Sequence, residues 1–388
     1  MNTTNPKSKL VRITTVPLSL DKLLSGQLNY MSHYFDVIAV SSDQDYLERV
    51  GVREKVRTFP LEMSRKITPF KDIIAVIRLF LFLRKEQPMI VHTHTPKAGI
   101  VGMIASKLAG VPYRLHTVAG MPLLEVTGIT RKVLDFVERM TYFCATKVYP
   151  NSIGLKAIIE ENNYCSSTKL KVLANGSSNG IDTSYFSPDL FPITVKEQYR
   201  KELQIASDDF VFIFVGRLVA DKGINEMVTA FEKIQDNSSN TKLLLVGDYE
   251  SELDPLLPET LESIQRNAHI IPVGFQADVR PYFALSDVLV FPSYREGFPN
   301  VVMQAGAMGL PSIVSDINGC NEIVINNENG IIIPVKNMSA LCSSMELLFT
   351  DTDLYSQLKK NSRARIVSSY EQNTVWKAIL EEYLEVCE

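Results

Sequence analysis

The sequence lacks the features that mark several protein classes. Its five cysteines are scattered and form no CxxC pair, which argues against a disulfide framework and against a zinc site. No apolar run approaches the roughly 18 residues that a membrane-spanning helix needs. No apolar segment follows the charges of the N-terminus, as it would in a signal peptide. These absences predict a reduced, cytoplasmic protein.

Internal repeats of solenoid length and low-complexity tracts are also absent, so ordinary globular domains are expected. The 45% hydrophobic and 22% charged residues permit a large core, and 388 residues suffice for about two domains. Charge is unevenly spread, because residues 1–180 carry 24 Lys and Arg against 14 Asp and Glu, whereas residues 181–388 carry 16 against 30. The basic half is predicted to face an anionic partner, and chance segregation of surface charge is the alternative.

Short apolar runs alternate with longer helical patterns along the whole chain. Near-continuous apolar strands that are separated by helices are typical of parallel sheets buried on both faces. Six such runs in each half predict an α/β protein with two doubly wound domains. The predicted strands are 10–16, 36–40, 89–93, 113–117, 147–151 and 171–174 in the first half, and 210–216, 242–247, 269–274, 288–292, 312–315 and 331–334 in the second.

The turn-rich segment 175–192 marks the predicted domain boundary, because Asn-Gly pairs and prolines interrupt the pattern there. We expect the first domain over residues 1–182 and the second over 183–365. The last segment, 366–388, is predicted to be a helix with one apolar face formed by Trp376, Ile379, Leu380 and Tyr383. Ligands of open α/β sheets bind at the carboxyl ends of strands, so residues that directly follow strands, in a cleft between the domains, are the candidates for a site.

The segment SYREGFPNVVMQAGAMGLP (293–311) follows one of these strands. Glu296 opens a turn that leads into a helix near Asn300, and a helix N-terminus presents free N–H groups to an anion. The carboxylate beside them is able to accept hydrogen bonds from hydroxyl groups. This combination suits a phosphate that is joined to a sugar.

A second segment, GRLVADKG (216–223), follows the first strand of the second half. Gly216 permits the backbone to turn closely at the strand end. Arg217 and Lys222 are predicted to project from the loop, where two cations neutralise a diphosphate. An ordinary basic loop is the alternative interpretation.

Together these segments resemble the E-x7-E element and the Arg/Lys pair of retaining glycosyltransferases of family 4, which have the GT-B fold. The resemblance implies that Arg217 and Lys222 bind the donor diphosphate and that Glu296 contacts sugar hydroxyls. Gln304 occupies the second acidic position of the element in this chain. The resemblance implies that Gln304 contacts the nucleotide ribose, and the alternative is that it is only a helix-surface residue. Neighbouring residues are implied to line the sugar, phosphate or base, namely Gly216, Phe275, Val279, Gly297, Phe298, Pro299 and Asn300.

Histidines follow two strands of the first half. His92 and His94 alternate at a strand end and are predicted to share one face, where a metal site would need a third ligand that is not in view. His116 matches the HT/HG element of the family, whose histidine is implied to approach the donor sugar. The alternative for His116 is a hydrogen-bonded core histidine.

The acceptor side of the resemblance is carried by weaker matches. Lys97 lies at a predicted helix start, where it is expected to bind an anion. Ser25 and Gly26 are the nearest match to the family's flexible loop beside the reacting centre. The apolar segment 64–85 is expected to be mostly core, and part of it is predicted to rest on a membrane surface, helped by the basic charge.

The resemblance implies a GT-B architecture, in which two domains are followed by a C-terminal helix that returns to the first domain. It also implies a retaining glycosyltransferase of the hexosyl or N-acetylhexosaminyl type. The donor is a nucleotide diphosphate sugar, with UDP favoured. The HTPKAG and HTVAGMP elements and the NGSSNGID linker look like bacterial enzymes of capsule or O-antigen synthesis, whose acceptor is often a polyprenyl-diphosphate-linked sugar.

This interpretation places the protein at the inner face of the cytoplasmic membrane. No DxD motif is present, so neither a metal nor another cofactor is expected, and nucleic acid is not an expected partner. Two alternatives remain open at this point. One is a nucleotide-sugar 2-epimerase of GT-B fold, and the other is a non-catalytic nucleotide-sugar-binding protein.

Overall fold

The computed structural model describes residues 7–64, 66, 68–121, 123, 126–236, 238, 240–250, 252 and 254–387. Contacts divide the chain into two units: unit 1 comprises Met1–Gly180 and Gln372–Glu388, and unit 2 comprises Ile181–Glu371. The chain returns to unit 1 at Gln372 and not at residue 366, because Thr352–Tyr370 is one continuous helix. Residues 65 and 67, within the apolar segment 64–85, lie outside the described part.

Unit 1 contains one parallel sheet with helices on both faces. Its strands are β1 (Lys9–Ile13), β2 (Asp36–Ser41), β3 (Arg57–Pro60), β4 (Ile90–His94), β5 (Tyr113–Val118) and β6 (Lys147–Pro150). They pair in the order β3-β2-β1-β4-β5-β6. The helices, numbered along the chain, are α1 (Pro17–Leu23), α2 (Gln27–Ser32), α3 (Gln44–Glu54), α4 (Pro69–Glu86), α5 (Pro96–Ala109), α6 (Gly128–Cys144), α7 (Ile153–Glu161) and α16 (Gln372–Glu385).

One strand of unit 1 was not predicted, and one predicted strand is wrong. β3 lies at the sheet edge, where its side chains are half-buried or exposed, so its sequence RTFP lacks an apolar run. Proline is tolerated at such an edge. Residues 171–174, predicted as a strand, form no strand, and only an isolated bridge between Val148 and Leu170 precedes them.

Unit 2 repeats the same architecture. Its strands are β7 (Phe210–Val215), β8 (Thr241–Val246), β9 (Ile270–Gly274), β10 (Val288–Phe291), β11 (Ser312–Ser315) and β12 (Gly330–Ile333). They pair in parallel in the order β12-β11-β10-β7-β8-β9. The helices are α8 (Ile193–Glu202), α9 (Ile224–Gln235), α10 (Pro258–Arg266), α11 (Arg280–Ala284), α12 (Asn300–Ala307), α13 (Cys320–Ile323), α14 (Met338–Thr350) and α15 (Thr352–Tyr370).

Each sheet has one point where the strand order reverses. In unit 1 the chain starts at β1, builds the sheet outward to β3, and returns to add β4 on the other side of β1. In unit 2 the corresponding neighbours are β7 and β10. Loops leaving two such strands diverge and open a crevice at their carboxyl ends, which is where this fold class binds ligands.

Helix α16 completes the core on one face of the unit 1 sheet. Its buried side chains are Val375, Ile379, Leu380, Glu382 and Tyr383. The apolar ones pack with Leu10 of β1 and with residues of α2, α3 and β2 in one cluster. Burial of a large aliphatic or aromatic side chain contributes about 1.5–3 kcal/mol, so α16 is an integral part of unit 1.

Candidate active site

The switch point of unit 2 brings together the two segments that the sequence singled out. Residues 216–223 follow β7, and residues 292–299 follow β10, which is the neighbouring strand. The backbone N–H of Tyr294 donates to the carbonyl oxygen of Asp221 at 2.8 Å. Arg295 also bonds the carboxylate of Asp221, with Nη2 at 2.7 Å from Oδ2. The two loops are therefore fastened to each other by main-chain and side-chain contacts.

Lys222 and Glu296 form an ion pair at the centre of this edge. The Nζ atom of Lys222 lies 2.6 Å from Oε1 of Glu296, and the two side chains are only 15% and 17% exposed. The hydroxyl of Ser293 donates to the same carboxylate oxygen at 3.0 Å. Because the pair is shielded from water, its charges are screened less than those of a surface pair. A diphosphate that binds here would meet the cation of Lys222, and a sugar hydroxyl would meet the hydrogen-bond acceptor of Glu296, both at fixed positions.

A cavity of about 500 Å³ lies beside Arg217, within the size range of small-ligand sites. Residues from the ends of β7, β8 and β9 line it, namely Val215, Gly216, Arg217, Val246, Gly247, Asp248, Tyr249, Glu250, Phe275, Gln276 and Val279. Arg217 is exposed and pairs with the carboxylate of Glu250. Phe275 is 70% exposed, and its N–H donates to Asp248 Oδ1 at 3.1 Å. The cavity therefore combines an aromatic ring, a cation and polar backbone.

The walls of this cavity require glycine where two loops meet. A Cβ atom on Gly247 would lie 1.8 Å from the carbonyl oxygen of Gly216, and the φ of Gly247 is +146°. No other residue type permits that approach without moving the backbone. The strand ends of β7 and β8 are thereby held close together.

The loop after β10 ends in the N-terminus of α12. Phe298 is buried, with its ring centroid 5.4 Å from that of Tyr370. Pro299 precedes the first helical residue, Asn300, and no side chain of the described residues caps this helix. Gln304 follows one turn later and is half-buried. The first N–H groups of α12 are therefore available to an anion.

The donor-side residues predicted from the sequence lie in loops that follow strands of the unit 2 sheet or in helix α12. The structure joins Lys222 directly to Glu296 and gathers Gly216, Arg217, Phe275 and Val279 around one cavity. Sequence reasoning missed Glu250, Tyr249 and Asp248. The sequence offered one signal for these three residues, which is that they directly follow the predicted strand 242–247.

Unit 1 buries a charged and polar cluster beneath α16. The guanidinium of Arg12 is fully buried and donates to Tyr383 at 2.5 Å, to Gln27 at 2.6 Å and to His94 Nε2 at 2.7 Å. Because arginine only donates, His94 accepts at Nε2 and carries its proton on Nδ1. His92 completes the cluster, with Nδ1 2.5 Å from the Tyr383 hydroxyl and its ring stacked on His94 at 4.5 Å.

The prediction that His92 and His94 share one face is confirmed, and both rings lie in the interior. Burial holds the pKa of each well below its ordinary value, and the charge of Arg12 lowers both further. The two imidazoles are therefore neutral at physiological pH. Among the described residues, no group of three or more His, Cys, Asp or Glu side chains is arranged to hold a metal ion.

His116 is also an interior residue. It is 3% exposed, its Nδ1 lies 2.8 Å from the hydroxyl of Thr93, and a Cβ atom on Gly99 would lie 2.6 Å from its Cε1. Burial lowers the pKa of His116 to about 3. Within unit 1 these contacts are those of a core histidine, and they give no support to the contact with a donor sugar that the resemblance implied.

The acceptor-side candidates occupy two different places in unit 1. Lys97 lies in the first turn of α5, where its Nζ pairs with Asp72 Oδ2 at 2.5 Å. Ser25 and Gly26 lie between α1 and α2, where the N–H of Gly26 donates to Glu54 at 3.0 Å. The surrounding sequence VPLSLDKLLSGQ (16–27) resembles the family's flexible loop as a whole, but Pro17–Leu23 within it form helix α1, so most of this segment is helical.

Two family models match the chain. The model described as "Glycosyl transferase 4-like domain" matches residues 26–176, and the model described as "Glycosyl transferases group 1" matches residues 195–365. The matches fall within units 1 and 2, respectively. Each half of the chain is thus recognised separately.

Curated relatives match over nearly the full length. The chain is 33% identical over 372 residues to the capsular polysaccharide biosynthesis glycosyltransferase CapM of Staphylococcus aureus, with 96% of this chain and 95% of the relative covered. It is 29% identical to the UDP-Gal:alpha-D-GlcNAc-diphosphoundecaprenol alpha-1,3-galactosyltransferase of Escherichia coli, with 95% of both chains covered.

Solved structures share the fold. The crystal structure of Anabaena Alr3699/HepE in complex with UDP has a TM-score of 0.81 and 17% identity, covering 98% of this chain and all of that chain. This likeness, with the two six-stranded parallel sheets, confirms the two-domain α/β architecture of GT-B proteins. The chain therefore belongs to the glycosyl transferases group 1 family and is a hexosyl- or N-acetylhexosaminyl-type glycosyltransferase of surface-polysaccharide biosynthesis.

Proposed function

We propose that this enzyme transfers a sugar, with retention of anomeric configuration, from a UDP-sugar to a polyprenyl-diphosphate-linked sugar. The observation that carries the proposal is the shielded Lys222–Glu296 pair at the switch point of unit 2. The 500 Å³ cavity beside Arg217 supplies room for a nucleoside within the same unit. The name of the Escherichia coli relative describes a UDP-sugar donor and a diphosphoundecaprenol acceptor, which supports both substrate classes.

In this reaction the main role of the protein is to stabilise the transition state electrostatically. The bond between C1 of the sugar and the β-phosphate oxygen breaks, and the acceptor hydroxyl oxygen bonds to C1 on the same face. The hydroxyl proton passes to an oxygen of the departing diphosphate. Lys222, Arg217 and the N-terminus of α12 stabilise the negative charge that develops on that diphosphate, while Glu296 accepts hydrogen bonds from the sugar. No metal or other cofactor is required in this scheme.

Gln304 replaces the carboxylate of the family element at the ribose position. An amide oxygen still accepts one hydroxyl, but hydrogen bonds to charged groups are worth about 1.5–3 kcal/mol against about 1 kcal/mol for neutral ones. We expect Gln304→Glu to lower the donor KM by no more than about tenfold and to leave kcat nearly unchanged. A large rise from near-zero activity would instead identify the natural chain as a binding protein.

On the acceptor side, Lys97 at the first turn of α5 is the proposed contact of the lipid diphosphate. Its side chain is 11% exposed and its charge is already balanced by Asp72, so an incoming phosphate competes with that carboxylate. Ser25 and Gly26 stay proposed acceptor contacts on the resemblance alone. The contact of His116 with the donor sugar is likewise supported only by the resemblance to the family.

The enzyme is proposed to act as a peripheral protein on the inner membrane face, with helices α4, α5 and α6 as its lipid-facing surface. Among the described helices, none combines the length and apolar character that crossing a membrane would need. Helix α4 nevertheless exposes an apolar stripe opposite its buried face, and α6 exposes a second one. The exposed residues of the two stripes are Phe70, Ile73, Ile74, Ile77 and Leu81 on α4, and Ile129, Val133, Phe136 and Phe143 on α6.

Helix α5 packs against both α4 and α6, and its exposed residues are Pro96 at its start and Lys107 and Leu108 in its last turn. The three helices carry nine Lys and Arg against four Asp and Glu. Apolar side chains rimmed by cations are typical of surfaces that lie in the interface of an anionic bilayer. Such a surface suits a lipid-linked acceptor, because the lipid of that acceptor lies in the membrane.

Transfer is tested by incubating the enzyme with UDP- and GDP-sugars, with and without a polyprenyl-diphosphate sugar, and by reading products by mass spectrometry and NMR. We expect UDP release that depends on the acceptor and an acceptor product that is one sugar heavier. The new glycosidic bond is expected to have the anomeric configuration of the donor. An inverted product would contradict retention. An epimerised donor without transfer would identify a 2-epimerase, and binding without turnover would identify a binding protein.

Lipid binding is tested separately by flotation with vesicles that contain or lack phosphatidylglycerol. The double variant Ile74→Glu/Ile77→Glu is expected to lose binding to anionic vesicles. Val52→Glu, at an exposed apolar residue of α3, is the matched control. Equal flotation of all three proteins would refute the surface without touching the proposed transfer.

A further inference from the structure

The turn after β11 contacts the loop that precedes α12. The side-chain amide Nδ2 of Asn318 donates to the carbonyl oxygen of Gly297 at 2.9 Å and approaches the carbonyl oxygen of Glu296 at 3.4 Å. One amide group thus faces the carbonyl oxygens of two successive peptides. These residues belong to unit 2, and Asn318 is half-buried.

This contact fixes the direction of two N–H groups. In a trans peptide the N–H points opposite to the C=O of the same plane. When the carbonyls of Glu296 and Gly297 turn toward Asn318, the N–H groups of Gly297 and Phe298 turn away from it. Within the described residues no acceptor bonds either N–H. Successive free N–H groups that share one side of a loop form a concavity for an anion.

Gly319 brings the turn and the loop into close contact. A Cβ atom on this residue would lie 2.5 Å from the carbonyl oxygen of Gly297 and 2.9 Å from Cα of Phe298. Its φ of +75° is also in the left-handed region that favours glycine. The turn therefore presses on the same two peptides that Asn318 bonds, so both residues define one loop conformation.

We propose that Asn318 is a positioning residue for the donor diphosphate. It holds the peptides of Gly297 and Phe298 so that their N–H groups face the phosphate next to the sugar, beside the cation of Lys222. Asn318 touches neither the sugar nor the phosphate and acts through the main chain of the loop. The proposal deepens the proposed function and rests on it, because it assumes that a nucleoside diphosphate binds at this edge of unit 2.

The test compares binding of UDP and of uridine by titration calorimetry in Asn318→Ala and Asn318→Asp. Asn318→Ala removes the donor, and we expect the Kd for UDP to rise about fivefold, as for the loss of one hydrogen bond. Asn318→Asp sets a carboxylate against two carbonyl oxygens, and we expect a rise of about tenfold or more at pH 8. The Kd for uridine is expected to stay unchanged in both, because uridine carries no phosphate.

The pH dependence of Asn318→Asp separates positioning from a general structural effect. The two facing carbonyl oxygens are expected to raise the pKa of the introduced carboxyl above its ordinary value of about 3.9. Below that raised pKa the protonated side chain donates again, so the ratio of the variant Kd to the wild-type Kd for UDP is expected to fall toward one as the pH is lowered from 8 to 5. Asn321→Ala, an exposed asparagine of the following helix, is the matched control. Equal Kd values for UDP in both Asn318 variants and the wild type would overturn the proposal.

Loss of uridine and UDP binding together would also overturn it, because the effect would then reach beyond the phosphate. Failure of the wild-type protein to bind UDP would be a failure of the proposed function itself. The two outcomes are therefore distinguishable in the same titration.

Discussion

At the scale of single residues, the site depends on charges that balance one another before a substrate arrives. Lys222 neutralises Glu296, and Arg217 is paired with Glu250. A donor diphosphate would take over the cations of both pairs, and sugar hydroxyls would take over the carboxylate. The charge of Lys222, which lies at a shielded position, is worth more there than in water.

Replacing Lys222 tests this arrangement. We expect Lys222→Ala to reduce kcat by one to three orders of magnitude, comparable to the loss of an oxyanion donor, and steady-state turnover with the best UDP-sugar measures it. Lys233→Ala, at an exposed residue of α9, is the control. Turnover near that of the wild type would remove the phosphate-binding role from Lys222.

The role of His116 is decided by comparing stability with turnover. We expect His116→Gln to lower the free energy of unfolding by about 1–3 kcal/mol, because the buried ring bonds Thr93 and fills the space beside Gly99. Denaturant unfolding measures this loss. A fall in kcat without a loss of stability would instead restore the sugar contact that the resemblance implies.

At the scale of secondary-structure elements, α16 is fastened to unit 1 by buried polar contacts. Tyr383 bonds Arg12 and His92, and Glu382 accepts from the hydroxyl of Tyr149 at 2.9 Å. The guanidinium of Arg12 is fully buried, so each partner that it loses leaves part of a charge unsatisfied. Polar contacts of this kind specify one docking position for the helix in addition to its apolar packing.

Tyr383→Phe is expected to destabilise the protein by about 2 kcal/mol, since a hydrogen bond to a charged group contributes about 1.5–3 kcal/mol. Chemical denaturation monitored by circular dichroism measures it. Lys377→Ala on the exposed face of the same helix is the control and should stay within about 0.5 kcal/mol. Equal stability of the two variants would contradict the role of the buried cluster.

Helix α6 contains a carboxyl group that opposes folding above neutral pH. Glu138 is 6% exposed, and burial raises its pKa to about 7 from an ordinary value of 4.5. Between these two values the folded protein keeps a proton that the unfolded chain has lost, so stability falls as pH rises through this window. We expect Glu138→Gln to raise the Tm at pH 8 but not at pH 4, as measured by calorimetry.

At the scale of the whole molecule, the buried histidines determine how the protein responds to acid. The pKa values of His92, His94 and His116 are all lowered by burial, for His116 to about 3. Below about pH 6.5 the unfolded chain binds protons at these sites and the folded chain does not. Stability is therefore fully present above pH 6.5 and is lost progressively as the pH falls.

We expect the free energy of unfolding to decrease by up to about 1.4 kcal/mol per pH unit for each histidine below pH 6.5. Between pH 7 and pH 4.5 Glu138 opposes this slope with a single proton, so the three histidines together still give a net loss of stability as the pH falls. Urea unfolding at pH 5, 6 and 7 measures the slope. A stability that is constant over this range would contradict neutral buried histidines in the folded state.

The sequence by itself determined the class of fold and the strand-end loops in which the proposed donor site lies. Eleven of the twelve strands follow from apolar runs, because strands buried on both faces of a parallel sheet must be apolar along their length. The exception, β3, is an edge strand that needs no such pattern. Gly216, Arg217, Lys222 and Glu296 were identifiable because loops at strand ends carry the chemistry of this fold class.

Only the tertiary structure decided which side chains meet and which are hidden. Arg12 stands inside an apolar strand sequence, and its partners Gln27, His94 and Tyr383 lie 15, 82 and 371 positions away. His116 has the same local signal whether it faces a ligand or the core, and packing against α5 buries it. Asn318 bonds a loop 21 residues earlier. Such contacts depend on strand order and helix packing, which local sequence patterns do not encode.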